Sequence, residues 1–120
     1  MTAKRQNPKP FTPVRNEIYE NAGGGKYICR SSYQHDDGYT TAWMINIKSG
    51  WSFTAKGIIR YEDGTIEWDH STDGNFVPIT GELQETIDRA IQYEIDRKVT
   101  RAAMKAKQAS ILNALLCCLI

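Results

Sequence analysis

Apolar and polar positions alternate in short runs over residues 14 to 77, and the alternation stops near Pro78. Runs that are rich in β-branched and aromatic residues and bounded by turn residues predict strands. Five such runs are present, near residues 16–21, 26–33, 39–48, 51–62 and 65–70. Their close spacing predicts an antiparallel β-meander.

Turn residues and apolar pairing together predict the registers of the last two hairpins. Asp63-Gly64 favours a two-residue turn, because a type I′ turn needs positive φ at both positions. That turn pairs Arg60 with Glu67. In the preceding hairpin, a three-residue loop of residues 48–50 with a left-handed Gly50 puts apolar side chains opposite each other. We expect the resulting apolar face to be the core, with Trp43, Ile45, Ile47, Trp51, Phe53, Ala55, Ile59, Tyr61, Ile66 and Trp68.

From residue 80 the apolar residues recur at every fourth position, which predicts a helix that begins at Thr80 or Gly81. Its apolar stripe is formed by Leu83, Ile87, Ile91, Ile95 and Val99. A continuous helix to residue 120 would be about 58 Å long, whereas a compact domain of this length has a radius of gyration of about 14 Å. We therefore expect a break near 107–110, where Ser110 is a suitable N-cap. The alternative is a projecting helix that self-associates.

These elements predict an α+β fold, with an antiparallel meander of about five strands packed against a long C-terminal helix. Residues 1–13 contain three prolines and few apolar side chains, and we expect a flexible basic arm there. Residues 14–120 are predicted to form a single domain, with the meander at 14–77 and helix at 80–119. A chain of 120 residues with 41% hydrophobic residues can bury one core without metals or disulfides.

The net charge of +1 conceals a strong asymmetry along the chain. Residues 1–15 carry +4, residues 97–107 carry +5, and the 81 residues between them carry −8. Basic segments of this kind bind nucleic acid or an acidic partner, although they also occur as solvated tails and helix faces. The candidate contact residues are Lys4, Arg5, Lys9, Arg97, Lys98, Arg101, Lys105 and Lys107.

Cysteine usage and hydropathy indicate a cytoplasmic protein without a membrane span. Three cysteines, two of them adjacent at positions 117 and 118, make a poor disulfide framework and favour a reducing compartment. No run of 18 apolar residues occurs. The apolar end, residues 109–120, must be covered. We expect it to dock on the sheet or form a homodimer seam, with binding to a membrane surface as the alternative.

Residues 67–73 hold the densest set of chemically reactive side chains. Glu67 and Asp69 share one face of a strand and, with Asp73, suit a divalent cation. The same acids are equally typical of an exposed strand, so a small metal-dependent enzyme is only a third hypothesis, and we expect no cofactor. The sheet surface expected to contact a partner contains Lys56, Arg60, Glu67 and Asp69.

Three segments carry a resemblance: Lys48 to Gly57 with the pattern KSGWxFxAxG, Tyr61 to Asp69 with the pattern YEDGTIxWD, and Gly23 to Cys29 with the sequence GGGKYIC. They resemble a group of small proteins from phages and integrated elements of Firmicutes. The similarity covers residues 18–76. Members of the group often have His at the position of Lys56 and an aromatic residue at that of His70, which argues against catalysis at either position.

The resemblance implies a cytosolic, mobile-element setting and carries no assigned activity. Our leading hypothesis is therefore a non-enzymatic accessory protein that acts by protein–protein interaction, for example by inhibiting a host or defence complex. The alternative is a nucleic-acid-binding protein that uses the basic arm and the basic helix segment 97–107.

Overall fold

The computed structural model describes residues 6–72 and 74–119, with side chains up to residue 106. The predicted α+β class is confirmed, since a mostly antiparallel sheet is followed by one long helix. The described residues form strands β1 (Lys9–Pro10), β2 (Ile18–Glu20), β3 (Lys26–Gln34), β4 (Thr40–Asn46), β5 (Trp51–Arg60), β6 (Ile66–Ser71) and β7 (Asn75–Phe76), and helix α1 (Gly81–Leu119).

The five predicted runs correspond to β2 to β6, which pair in chain order as an antiparallel meander. The short strands β1 and β7, which the sequence pattern did not indicate, both pair with β5. At the two ends of the meander, Asn21 forms a parallel bridge with Ile66. The backbone N–H of Ala22 also donates to Oε1 of Glu67 over 3.3 Å. The sheet is therefore curled far enough for its first and last strands to meet.

Curling encloses an interior that is filled mainly by apolar side chains from every meander strand. Met44 and Ile66 are completely buried there, and the rings of Tyr27, Phe53 and Trp68 pack against one another with centroids 5.2 to 5.6 Å apart. Such rings stabilise a core by burial and by their edge-to-face geometry. The interior cluster comprises Tyr19, Cys29, Ala42, Met44, Phe53, Ala55, Ile58 and Ile66.

Two titratable groups lie within this interior. Burial raises the pKa of the Cys29 thiol to about 11, because an apolar site disfavours the thiolate. Burial also raises the pKa of Tyr19, whose hydroxyl donates to Oε2 of Glu17 over 3.0 Å and accepts from the N–H of Val14 over 2.8 Å. Both groups are therefore held in their neutral forms in the folded chain.

The predicted register of the β5–β6 hairpin is wrong by one residue. Arg60 pairs with Ile66 and Ile59 with Glu67, so Arg60 and Glu67 are not opposite each other. The N–H of Tyr61 donates to the carbonyl of Thr65, and Gly64 has a φ of 89°. The loop therefore contains three residues, 62–64, because only Gly64 and not Asp63 adopts the left-handed conformation that a two-residue turn requires of both.

The predicted register of the β4–β5 hairpin is also wrong by one residue. Trp43 pairs with Thr54 rather than with Ala55, and Met44 pairs with Phe53. Gly50 is left-handed as predicted, but its N–H donates to the carbonyl of Asn46, which closes a loop of four residues, 47–50. A slip of one residue exchanges the two faces of a strand. Met44 therefore enters the interior, and Trp43 lies on the outside.

Gly57 reverses the alternation of faces along β5. Ala55 and Ile58 both belong to the interior cluster although they are three positions apart, whereas strict alternation would put them on opposite faces. Gly57 has a φ of 72°, and a Cβ at this position would be 2.8 Å from Cβ of Asp69. A glycine is needed here because only it combines this backbone with so close a neighbour.

The segment before β2, expected to belong to a flexible arm, lies along β5 from residue 9 onward. Lys9 pairs with Arg60, and the N–H of Phe11 donates to the carbonyl of Ile58 over 3.0 Å. Arg60 also pairs with Ile66, so β1 and β6 occupy opposite edges of β5. Pro13 is fully buried, which fixes the course of the chain as it enters the meander.

The chain divides after Asp88 into two compact units, Met1–Asp88 and Arg89–Ile120. The first two turns of α1 belong to the sheet unit, where Ile87 is buried. The second unit is the remainder of the helix, which is continuous through 107–110. The expected break is thus wrong, because no Gly or Pro interrupts the backbone hydrogen bonds after Gly81.

Candidate functional site

The outer face of the meander carries a group of exposed and half-buried aromatic, histidine and lysine side chains. Paired residues on neighbouring strands share a face. One transverse row of pairs consists of Tyr33, Thr41, Lys56 and His70, and the adjacent row contains Trp43. Tyr33 and Trp43 are thus diagonal neighbours, whose backbones lie about 7–8 Å apart. We define the aromatic face as Tyr33, His35, Tyr39, Trp43, Lys56 and His70.

Ring contacts connect four members of the aromatic face into one cluster. The His35 ring lies 4.7 Å from that of Tyr33 and 6.2 Å from that of Tyr39, measured between centroids. The Tyr39 hydroxyl lies 3.4 Å from Nδ1 of His70. These contacts span the β3–β4 turn and reach β6. The side chains thus form a continuous surface rather than isolated exposed residues.

Exposure distinguishes this surface from the adjoining end of the same outer face. Tyr33 is 61% exposed and Trp43 is 43% exposed. The neighbouring row on the same outer face contains the pair Ile28 and Ile45, and both are buried. The outer face therefore has a covered end and an open end, and Trp43 lies next to the boundary between them. Exposed tryptophan and tyrosine that are held by a rigid sheet are typical of protein-binding surfaces.

The charges around the aromatic face are mixed, with acids in excess. Lys56 contributes one positive charge, whereas Asp36 and Asp37 in the β3–β4 turn and Asp69 on β6 are negative. One carboxylate oxygen of Asp69 lies 3.5 Å from Nδ1 of His70. The net charge of these groups is −2 with neutral histidines. This balance disfavours a polyanion such as nucleic acid at this face.

The chemistry of the aromatic face suits binding better than catalysis. The side chains of Asp69 and His70 are 76% and 56% exposed, so water screens their interaction. Catalytic acids and bases are typically held in a cleft. Within residues 6–72 and 74–106, no three His, Cys, Asp or Glu side chains are close enough together to hold a metal ion. Asp73, the third acid of the proposed metal site, lies outside the described residues.

The four residues predicted to contact a partner on the sheet do not form one surface. Lys56 belongs to the aromatic face, and Asp69 borders it. Arg60 instead lies over the Phe11 ring at 4.8 Å and donates from Nε to the carbonyl of Gly64. Glu67 accepts the N–H of Ala22. Arg60 and Glu67 therefore help to hold the N-terminal segment and the meander ends in place.

Four of the predicted basic contact residues lie on one side of α1. Arg97, Lys98, Arg101 and Lys105 are exposed, and at 100° per residue they fall within an arc of about 100°. The guanidinium of Arg97 lies 5.8 Å from the Tyr93 ring centroid and 3.9 Å from Oε1 of Glu94. This arc is a basic surface that suits an anionic partner.

The remaining predicted basic residues are placed as follows. Lys9 is exposed in β1, opposite Arg60. Lys4 and Arg5 lie outside the described residues, and so does the side chain of Lys107.

Two of the clefts that the described residues line lie on the sheet unit, away from the aromatic face. One, of about 360 Å³, lies between the N-terminal segment and the β5–β6 loop and is lined by residues such as Lys9, Phe11 and Arg60. The other, of about 250 Å³, is bordered by Gly24, Gly25 and Lys48. The N–H groups of both glycines donate to oxygens of Asn21. These bonds close a turn at the glycine triplet, residues 23–25.

The sequence pattern did not predict most of the aromatic face, because it placed Trp43 in the core and Tyr33 at the end of a strand. A usable signal was present, since Tyr33 and His35 are two residues apart and therefore share a face of a strand.

Within the described part of α1, no stretch is apolar over enough residues to cross a bilayer. Comparison of the chain with protein-family models, curated proteins and solved structures gives no match.

Proposed function

We propose that this chain is a non-enzymatic binding protein that acts by protein–protein interaction, with the aromatic face as its contact surface. The observation that carries the proposal is the exposure of Tyr33 and Trp43 side by side on the rigid outer face of the sheet. Aromatic side chains lose little conformational entropy on binding and supply much of the energy at protein interfaces. The acidic surroundings favour a protein partner over nucleic acid.

The resemblance to phage and mobile-element proteins supports a more specific form of this proposal. An accessory protein of this kind would act in the host cytoplasm by occupying a surface of a host or defence complex. A small rigid sheet with exposed aromatic anchors suits that role, because inhibition by occupancy requires affinity and shape but no catalytic group.

Affinity capture with matched variants tests the proposal. The immobilised full chain is exposed to a Firmicutes lysate, and each captured protein is identified and then purified for titration calorimetry. We expect Tyr33→Ala and Trp43→Ala each to weaken binding by about tenfold or more, as for interface hot spots. Tyr93→Ala is the control, because Tyr93 is an equally exposed aromatic residue, at 56%, that lies on the helix.

Denaturation curves accompany each variant, since Trp43 is partly buried and its loss also affects stability. Equal binding by the wild type and the folded Tyr33→Ala and Trp43→Ala variants would contradict the proposal. Loss of binding in Tyr93→Ala alone would move the contact surface to the helix.

Nucleic-acid binding is a second candidate, and the basic arc on α1 favours it. Arg97, Lys98, Arg101 and Lys105 present four positive charges on one side of the helix. Phosphate contacts of this type weaken steeply as salt rises. We would measure fluorescence anisotropy of labelled duplex DNA and single-stranded RNA at low and physiological salt. Salt-dependent binding that is lost in the Arg97→Ala, Arg101→Ala, Lys105→Ala triple variant supports this function, and absence of binding at low salt excludes it.

A further inference from the structure

The second unit of the chain exposes an apolar stripe along one side of the helix. Ile91, Ile95 and Val99 are 40%, 47% and 61% exposed. At 100° per residue, these three side chains with Ala102 and Ala106 fall within an arc of about 80°. Isolated apolar residues on a surface are ordinary, but a continuous stripe at helical spacing is the pattern of a helix that packs on another helix.

The charge distribution along α1 indicates which helix can cover this stripe. Residues 82–96 contain five acids and one base, a net charge of −4, and residues 97–107 contain five bases and no acid, a net charge of +5. A parallel pair of identical helices would place the basic segments side by side. An antiparallel pair places each basic segment against the acidic segment of the other copy.

The positions of individual charges refine this arrangement. Glu94 and Lys98 lie on the same flank of the apolar stripe, about 100° and 60° from its centre. When two identical helices pair antiparallel, the same flank of each faces the other. A register in which Ile95 packs against Val99 of the second copy brings Glu94 near Lys98 of that copy, and the two-fold axis repeats both contacts.

We propose that the occupant of the stripe is a second copy of this chain, and that two copies form an antiparallel homodimer through residues 91–106 of α1. Ile91, Ile95 and Val99 form the seam. Glu94 and Lys98 set the orientation by charge complementarity. The proposal is independent of the aromatic face, which lies on the other unit.

Sedimentation equilibrium of the full chain across micromolar concentrations tests for the dimer. We expect Ile95→Glu to raise the dimer dissociation constant by more than about a hundredfold, because it buries two unpaired charges in the seam. Thr100→Glu is the matched control, since it adds the same charge at an exposed position on the opposite side of the helix. A monomeric wild type overturns the proposal, and so does a dimer that Ile95→Glu leaves intact.

Charge exchange tests the antiparallel orientation. Glu94→Lys alone and Lys98→Glu alone each create two repulsive contacts, and we expect each to weaken the dimer by about fivefold. The double variant restores both pairs in an antiparallel dimer and should recover wild-type association. A double variant that stays as weak as the single variants overturns the orientation.

A second sedimentation experiment adds vesicles of phosphatidylcholine and phosphatidylglycerol to the full chain. Co-sedimentation of a monomeric chain, abolished by Ile95→Glu, would make a lipid surface the occupant and overturn the dimer. Unchanged sedimentation of the dimer in the presence of vesicles supports it.

Discussion

Two sets of isoleucines, one from the meander strands and one from the apolar stripe of the helix, lie in opposite environments. Ile58 and Ile66 are 1% and 0% exposed in the interior of the curled sheet, whereas Ile91 and Ile95 are 40% and 47% exposed on the helix. The first pair is enclosed by strands of its own chain, and the second pair has no such enclosure. An apolar stripe thus predicts which element forms, but it does not reveal what covers that element.

The largest contrast is expected when one isoleucine of each set is truncated. Ile66→Ala should lower the free energy of unfolding of the sheet unit by about 2–5 kcal/mol, because it leaves a cavity in a closed interior. Ile95→Ala should change it by less than about 0.5 kcal/mol. Urea denaturation, followed by tryptophan fluorescence, measures both. Equal losses of unfolding free energy in the two variants would contradict the difference in environment between the two sets.

Gly57 tests whether the interior depends on the reversal of faces along β5. Gly57→Ala should destabilise the fold by roughly 2–4 kcal/mol, because it combines a disfavoured left-handed backbone with a Cβ that lies 2.8 Å from that of Asp69. Gly38→Ala is the control, since Gly38 has a φ of 87° but open space around it. We expect the control to cost about 1 kcal/mol. Similar losses of stability in both variants would show that the short distance from a Cβ at position 57 to that of Asp69 does not affect the free energy of unfolding.

The pH dependence of stability tests the burial of Cys29 without a mutation. The pKa of the Cys29 thiol rises from 9.0 to about 11 on folding. The folded state therefore favours the neutral thiol, and its advantage is complete below pH 9 and is lost as pH rises toward 11. We expect stability to fall across this window by roughly 2–3 kcal/mol from Cys29.

Cys29→Ala supplies the comparison for this effect. The variant should be less stable at pH 7 because of the cavity it creates, yet its stability should decline less steeply between pH 9 and 11. Equilibrium denaturation at each pH gives both slopes. A wild-type slope that matches the Cys29→Ala slope would place the thiol in contact with solvent.

The smallest predicted effect concerns the loop that sets the β5–β6 register. Oδ1 of Asp63 accepts the N–H and the hydroxyl of Thr65 at 2.9 and 2.6 Å. Asp63→Ala should cost about 1 kcal/mol, the usual value of exposed local hydrogen bonds of this kind. Glu62→Ala, one residue earlier in the same exposed loop, removes the bond from Asn7 instead and serves as the comparison. Equal and negligible losses would show that the loop adds nothing to the register.

Strand and helix positions were predictable because they depend on local patterns. Alternation located β2 to β6, and the absence of Gly and Pro after Gly81 accounts for the unbroken helix. The registers of the two hairpins were not predictable from apolar pairing, because one residue in each loop lengthened that loop and shifted the strand register by one position. Asn46 accepts from the N–H groups of Lys48 and Ser49 and lengthens one loop, and left-handed Gly64 does so in the other.

The error in strand register also explains why the aromatic face was not predicted. Tryptophan and isoleucine at alternating positions looked like a single core face, so Trp43 was assigned to the interior. The observed register places Met44 inside and Trp43 outside. A shift of one residue therefore converts a predicted core side chain into part of a candidate binding surface, because successive side chains of a strand point to opposite faces.

By itself, the sequence determined the order of the five meander strands, the residue at which the helix begins and the division into an acidic body and basic segments. These properties follow from spacing, turn residues and charge, which act over a few positions. Only the tertiary structure decided which side of each strand is enclosed, since that depends on loop lengths and on the reversal at Gly57. It also decided that Tyr33, His35, Tyr39 and His70 meet, because they approach one another only when β3, β4 and β6 are brought together by the curled sheet.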